Sequence, residues 1–175
     1  MERKINKFLL KWKTDLIRKP LLIIGTRQVG KTYTALDFGK QNYQYVAYFN
    51  TDHNTILKDL FKKERSITRL AEALSIISEV PIVKNDTLLI FDNVTDEEII
   101  KGIKLFGYDK NDYHVIAITS SRDSLLKFRG EEFQYKIMTE MDYEEFLWAI
   151  GEKEVAEKIR YAYDNHRSCS VHTKA

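Results

Sequence analysis

Gly25, Gly30, Lys31 and Thr32 stand at the spacing G-x-x-x-x-G-K-[ST] without a mismatch. Each residue type answers a demand of a polyphosphate. Glycines let the backbone curl and turn its N–H groups toward phosphate oxygens with no Cβ in the way. Lys31 sets a cation against β- and γ-phosphates, and the Thr32 hydroxyl is a ligand for the accompanying Mg²⁺. Thr26, Arg27, Gln28 and Val29 complete the loop, and Tyr33 follows on the first turn of the next helix. That helix points its N-terminus at the phosphates. The competing reading is a glycine turn with an incidental Lys-Thr pair. A chance match in a chain of this length occurs on the order of once in a couple of hundred. The setting decides: the run starts directly after the apolar stretch Leu21-Leu22-Ile23-Ile24 and opens a helical pattern.

A second candidate, Asp92, ends the apolar run Leu88-Leu89-Ile90-Phe91. A buried strand ending in Asp is the Walker-B arrangement, whose carboxylate holds the Mg²⁺ of the nucleotide. Asn93 follows, where many ATPases of this architecture carry a Glu that activates the attacking water. An amide cannot take that proton, but it can orient a water. Asp96, Glu97 and Glu98 lie just beyond, on the next predicted helix. The run His114 to Ile118 leads into Thr119 and Ser120, both candidates for contact with a γ-phosphate. Arg122 and Arg129 are either phosphate contacts or surface arginines, and they are too sparse for the Arg-rich lid of a small kinase. No Asn-Lys-x-Asp run signals guanine; Lys84-Asn85-Asp86 has the wrong order, so adenine is favoured.

These residues need elements to hold them. Ile5, Phe8, Leu9, Trp12 and Ile17 predict an amphipathic helix from Ile5 to Ile17, closed by Pro20. Strands are predicted at Leu21–Ile24, Tyr45–Phe49, Thr87–Phe91, Val115–Ile118 and Phe133–Met138. Helices are predicted at 31–40, 57–61, 67–77, 121–127, 142–150 and 153–163, with a further one capped by Thr95. Short apolar strands alternating with helices imply an α/β fold, a three-layer sandwich around a mostly parallel five-stranded sheet. The expected division is an N-terminal helix over 1–18, a P-loop core over 19–150, and a C-terminal helix over 151–175.

Composition bounds the partners. The 28 basic and 26 acidic residues leave a net charge of +2, so no global field argues for nucleic acid. The first twenty residues lean basic, as the solvated face of a helix does. The single cysteine, Cys169, fits a reducing compartment, and no apolar run reaches the roughly 18 residues that span a membrane. The cytoplasm is the default location.

The run Arg18 to Thr32 resembles the prokaryotic AAA_14-type ATPases, whose loop reads G-x-R-Q-V-G-K-T. Trp12, Tyr48-Phe49-Asn50, Thr87 to Asp92, Tyr113 to Ala117 and Met141 to Leu147 match further segments of that pattern in order. The resemblance covers Trp12 to Gly151 and implies an additional-strand fold of the AAA+ kind, with ATP and Mg²⁺ as ligands. It carries phosphate and metal contact to Lys31 and Thr32, metal contact to Asp92, and a sensor-like role to Ser120. The family's D-E-I-Q stands here as Asp92-Asn93-Val94-Thr95, which puts hydrolysis in question. Its T-G-S stands as Ile118-Thr119-Ser120, without the Gly. Relatives continue into a DUF4143-type C-terminal region; His172 to Ala175 is similar to the start of that connection, so a fragment or a shortened protein is expected.

Overall fold

The computed structural model describes residues 3–107, 112–120, 128 and 132–166. The predicted helix at 121–127, Arg122, Arg129, Cys169 and the segment His172 to Ala175 lie outside the described residues. Five strands form one sheet: β1 (Leu21–Ile24), β2 (Tyr45–Asn50), β3 (Thr87–Asp92), β4 (His114–Thr119) and β5 (Gln134–Ile137). Their order is β2-β3-β4-β1-β5. Every pairing is parallel, so the sheet is wholly rather than mostly parallel. Strand β4 lies between β1 and β3, the additional-strand arrangement that the resemblance implied.

Parallel strands in the middle of such a sheet are buried on both faces, which is why β1, β3 and β4 read as continuous apolar runs. Alternate residues serve opposite faces. Leu21, Ile23, Leu88, Ile90, Ile116 and Ile118 pack with α1 (Lys4–Lys13) and α2 (Lys31–Asn42). Leu22, Leu89, Phe91, Val115 and Ala117 pack on the other side with α3 (Thr55–Lys63), α4 (Ile67–Ser78) and α5 (Glu97–Phe106). Each buried Leu, Ile or Phe contributes roughly 1.5–3 kcal/mol. Two further helices, α6 (Tyr143–Ala149) and α7 (Lys153–Asp164), follow β5.

Most element ends lie within two residues of the predicted bounds, and two departures have an identifiable local cause. Helix α1 stops at Lys13, and Ile17 is 77% exposed. The Thr14 hydroxyl bonds back to the Leu10 and Lys11 carbonyls, and Asp15 Oδ1 accepts the Ile17 amide, so local turns take over before Pro20. Trp12 Nε1 then donates to the Lys19 carbonyl at 2.9 Å and anchors the connection to β1. At α5 the cap is Asp96, not Thr95: its carboxylate accepts the Glu98 amide at 2.9 Å. An ion pair with Lys58 at 2.7 Å holds the same carboxylate.

Candidate functional site

A parallel sheet sends every strand's C-terminal end to one edge, where ligands of α/β folds bind. Here that edge gathers Ile24, Asn50, Asp92, Thr119 and Ile137, with Ile24 level with Thr119 and Ile137, and Asn50 level with Asp92. The loop Gly25 to Gly30 leaves β1 at this edge and enters α2. Gly25 passes so close to the chain after β5 that a Cβ there would lie 2.1 Å from the Met138 carbonyl oxygen. Gly30 caps α2 with φ of 91°, a left-handed backbone that glycine adopts without strain. Thr26, Arg27 and Gln28 are exposed, Tyr33 is 56% exposed, and Val29 is a core side chain that offers the site only its backbone.

Lys31 is 6% exposed and folds over the loop, donating to the Gly25 carbonyl at 2.9 Å and the Thr26 carbonyl at 2.6 Å. Burial lowers its pKa from the ordinary lysine range, and Asp92 opposes that fall. The Thr32 hydroxyl donates to Asp92 Oδ2 at 2.6 Å. The loop and the end of β3 are therefore joined through the two residues assigned to Mg²⁺. A hydroxyl beside a carboxylate is an oxygen donor set that suits a hard cation carried in on phosphates. Among the described residues no group of three or more His, Cys, Asp or Glu side chains forms a protein-only metal cage.

Asp92 is 4% exposed and held from several sides. Its Oδ2 also accepts the Tyr48 hydroxyl at 3.0 Å, and its Oδ1 accepts the Asn93 amide at 2.8 Å. Thr51 binds its carbonyl through both backbone N and hydroxyl, each at 2.9 Å. Burial, reinforced by the Asp92 carboxylate, pushes the Tyr48 phenol up to about 12. Asn93 has φ of 59°, and its side-chain amide donates to Asn50 Oδ1 at 3.2 Å. Asp96 and Glu98 are engaged on α5 with Lys58 and Lys101.

The two candidates at the end of β4 separate. Thr119 is fully buried within the sheet, whereas Ser120 lines a cleft of roughly 690 Å³ with Gly25, Thr26, Met138 and Thr139. Tyr48 and Thr51 were not among the predicted site residues. Alternation along β2 was the available signal for Tyr48, since it puts that side chain on the face shared with Asn50. No described helix is long and apolar enough to cross a membrane.

Comparison with curated proteins gives no match. Among solved structures, a chain of Drosophila ORC bound to DNA superposes with a TM-score of 0.53 at 15% identity, covering 91% of this chain and 48% of that one. A Walker-type ATPase of Pyrococcus abyssi gives 0.53 at 13% identity, covering 97% of this chain and 60% of that one. This chain thus spans about half to three fifths of those neighbours, and the likeness shows a shared P-loop ATPase fold. The family model AAA_14, described as an AAA domain, matches residues 17–147. With most of its length inside that match, the chain belongs to the AAA_14 family of P-loop ATPases.

Proposed function

We propose that this chain is an ATP-binding module that hydrolyses ATP slowly with Mg²⁺ and couples its nucleotide state to a partner or a C-terminal region. The observation that carries the reading is the Thr32–Asp92 hydrogen bond at 2.6 Å beside a buried Lys31. Lys31 exchanges its two carbonyl partners for phosphate oxygens. Thr32 and Asp92 would hold the Mg²⁺, which would supply positive charge against the phosphates. Gly25, Gly30 and the amides between them line the phosphates, Tyr33 lies beyond them on α2, and Ser120 faces the loop across the cleft.

Asn93 sets the pace. One N–H of its side-chain amide donates to Asn50, and its side-chain carbonyl oxygen would accept a hydrogen bond from water. That oxygen orients a nucleophile but does not remove its proton. Phosphoryl transfer through a loose transition state tolerates this at a reduced rate. The same pairing supports the second reading, a module that binds and senses ATP with negligible turnover. Although one structural neighbour is bound to DNA, a net charge of +2 gives no electrostatic support for nucleic acid here.

The test is ATP affinity and steady-state turnover in wild type, Lys31→Ala and Asn93→Glu. Losing charge-assisted contacts in Lys31→Ala weakens binding by roughly 10–100-fold. Undiminished affinity there sinks the loop assignment. Asn93→Glu is expected to raise turnover at least tenfold, within the range of general-base catalysis. Brisk wild-type turnover that Asn93→Glu leaves unchanged removes Asn93 as the limiting group. Turnover that appears only with an added phosphate acceptor reassigns the chain as a kinase.

A further inference from the structure

The segments that flank the phosphate loop in sequence meet behind it. Arg3, just before α1, is 5% exposed. Its Nη1 donates to the Val29 carbonyl at 3.3 Å and its Nη2 to the Thr139 carbonyl at 3.0 Å. Its Nε lies 3.1 Å from Glu145 Oε1 on α6, and that carboxylate is buried as well. Glu145 is fixed in turn. Its Oε1 accepts the Lys4 amide at 2.7 Å, and its Oε2 accepts the Asp142 amide in the capping box that opens α6. At the surface of this junction, Lys4 Nζ reaches Asp142 at 2.5 Å and Glu144 at 2.8 Å. One guanidinium therefore joins the loop, the chain after β5 and α6.

Peptide geometry gives this junction a consequence. The Val29–Gly30 peptide is trans, so the Val29 carbonyl and the Gly30 N–H point in opposite directions. With the carbonyl held by Arg3, the Gly30 N–H is aimed away from Arg3. The charged donor also polarises the peptide and strengthens that N–H as a donor in turn. Stability alone is a weak explanation for the pair, because buried ion pairs are often replaceable by apolar side chains without loss.

We propose that Arg3 and Glu145 are a positioning pair that sets the Val29–Gly30 peptide of the phosphate loop and makes its geometry depend on α6. The inference rests on reading that loop as the ATP site. Neither side chain is a catalytic residue; Glu145 acts on the loop through Arg3, and Arg3 acts through a backbone carbonyl. The pair gives α6 a route to nucleotide affinity, and the loop a route back to α6.

The experiment uses Arg3→Met, Glu145→Met, their double variant, and the conservative Arg3→Lys and Glu145→Gln. Three quantities are read: ATP affinity with Mg²⁺, the melting temperature without nucleotide, and the Gly30 amide resonance without nucleotide. Each Met variant is expected to weaken ATP about tenfold. The double variant is expected to be no weaker than either single, because the two act as one unit. Arg3→Lys keeps the charge but not the fork and does not restore affinity. The Gly30 resonance moves in Glu145→Met and Glu145→Gln alike. A lowered melting temperature with wild-type affinity and an unmoved Gly30 resonance overturns the pair, as do strictly additive losses. If the Met variants fail to fold, the conservative pair decides by the same readouts. A wild type that does not bind ATP refutes the function proposed above. The nucleotide-free Gly30 resonance then still decides the pair: movement in both conservative variants upholds it, and none overturns it.

Discussion

The two halves of the site are built from different chemistry. The phosphate half carries charge: a buried ammonium on Lys31, a buried carboxylate on Asp92, and a hydroxyl between loop and strand. The half proposed to hold water carries amides: the Asn93 side chain bonded to Asn50. On the proposed reading the first is the binding half, and its parts are bonded to one another. The second is tied by one exposed amide-to-amide bond, and an amide orients a water without taking its proton. Order and reactivity are separate properties: a hydrogen bond can hold a side chain in place without making it a base.

The bluntest way to break the phosphate half is at its backbone. In Gly25→Ala the new methyl meets the Met138 carbonyl oxygen, and no side-chain rotation relieves a clash with backbone. A cost on the order of 3 kcal/mol is expected, seen as a fall of roughly 6–12 °C in thermal unfolding. A melting temperature within a degree of wild type would show that the loop and the chain after β5 are not in contact. Next in size is Asp92→Asn, which keeps the shape and removes the charge. It is expected to abolish the Mg²⁺-dependent part of ATP affinity, a loss on the order of 2 kcal/mol for a contact with a charged group. Titrating Mg²⁺ at fixed ATP measures it, and binding without Mg²⁺ should survive.

A third prediction tests where acid acts on the fold. His114, at the opposite end of β4, is 3% exposed and bonded to the Tyr43 hydroxyl at 2.6 Å. Burial, with help from Arg18 and Lys13, lowers its pKa from 6.5 to about 3. A depressed folded value means that the unfolded chain takes up the proton first. The stabilisation is whole above pH 6.5 and drains away as pH falls toward 3. Between pH 6.5 and 5.5 the loss is about 1 kcal/mol. Urea unfolding of wild type and His114→Gln at both values checks it; equal pH slopes would clear His114. The smallest effect is expected from Tyr48→Phe. Removing one hydrogen bond to Asp92 should weaken Mg²⁺-dependent binding about threefold. A tenfold or greater change would place Tyr48 inside the metal half rather than beside it.

Legibility in the sequence followed the range of the interaction. Strands β1, β3 and β4 were readable because burial on both faces leaves an unbroken apolar run, and the loop because its Gly, Lys and Thr stand at a fixed spacing. Asp92 was found through the strand it ends. The end of α1 was missed because Thr14 and Asp15 offer local bonds that outweigh a continuing apolar period. Thr95 lost the cap of α5 to its neighbour Asp96, which also has Lys58 to hold it in place. The contact of Arg3 with Glu145 was not legible, although Glu145 lies in the matched segment Met141 to Leu147, since a contact between distant segments obeys no period.

Lys31 meanwhile has an energetic meaning. Its two bonds to the Gly25 and Thr26 carbonyls close the loop into a ring, so the loop is latched rather than slack. On the proposed reading, a triphosphate takes the ammonium away from those carbonyls. Apparent affinity is then the intrinsic affinity reduced by the fraction of loops that are unlatched. The side chain that grips the nucleotide would thereby also set the concentration at which the protein answers it.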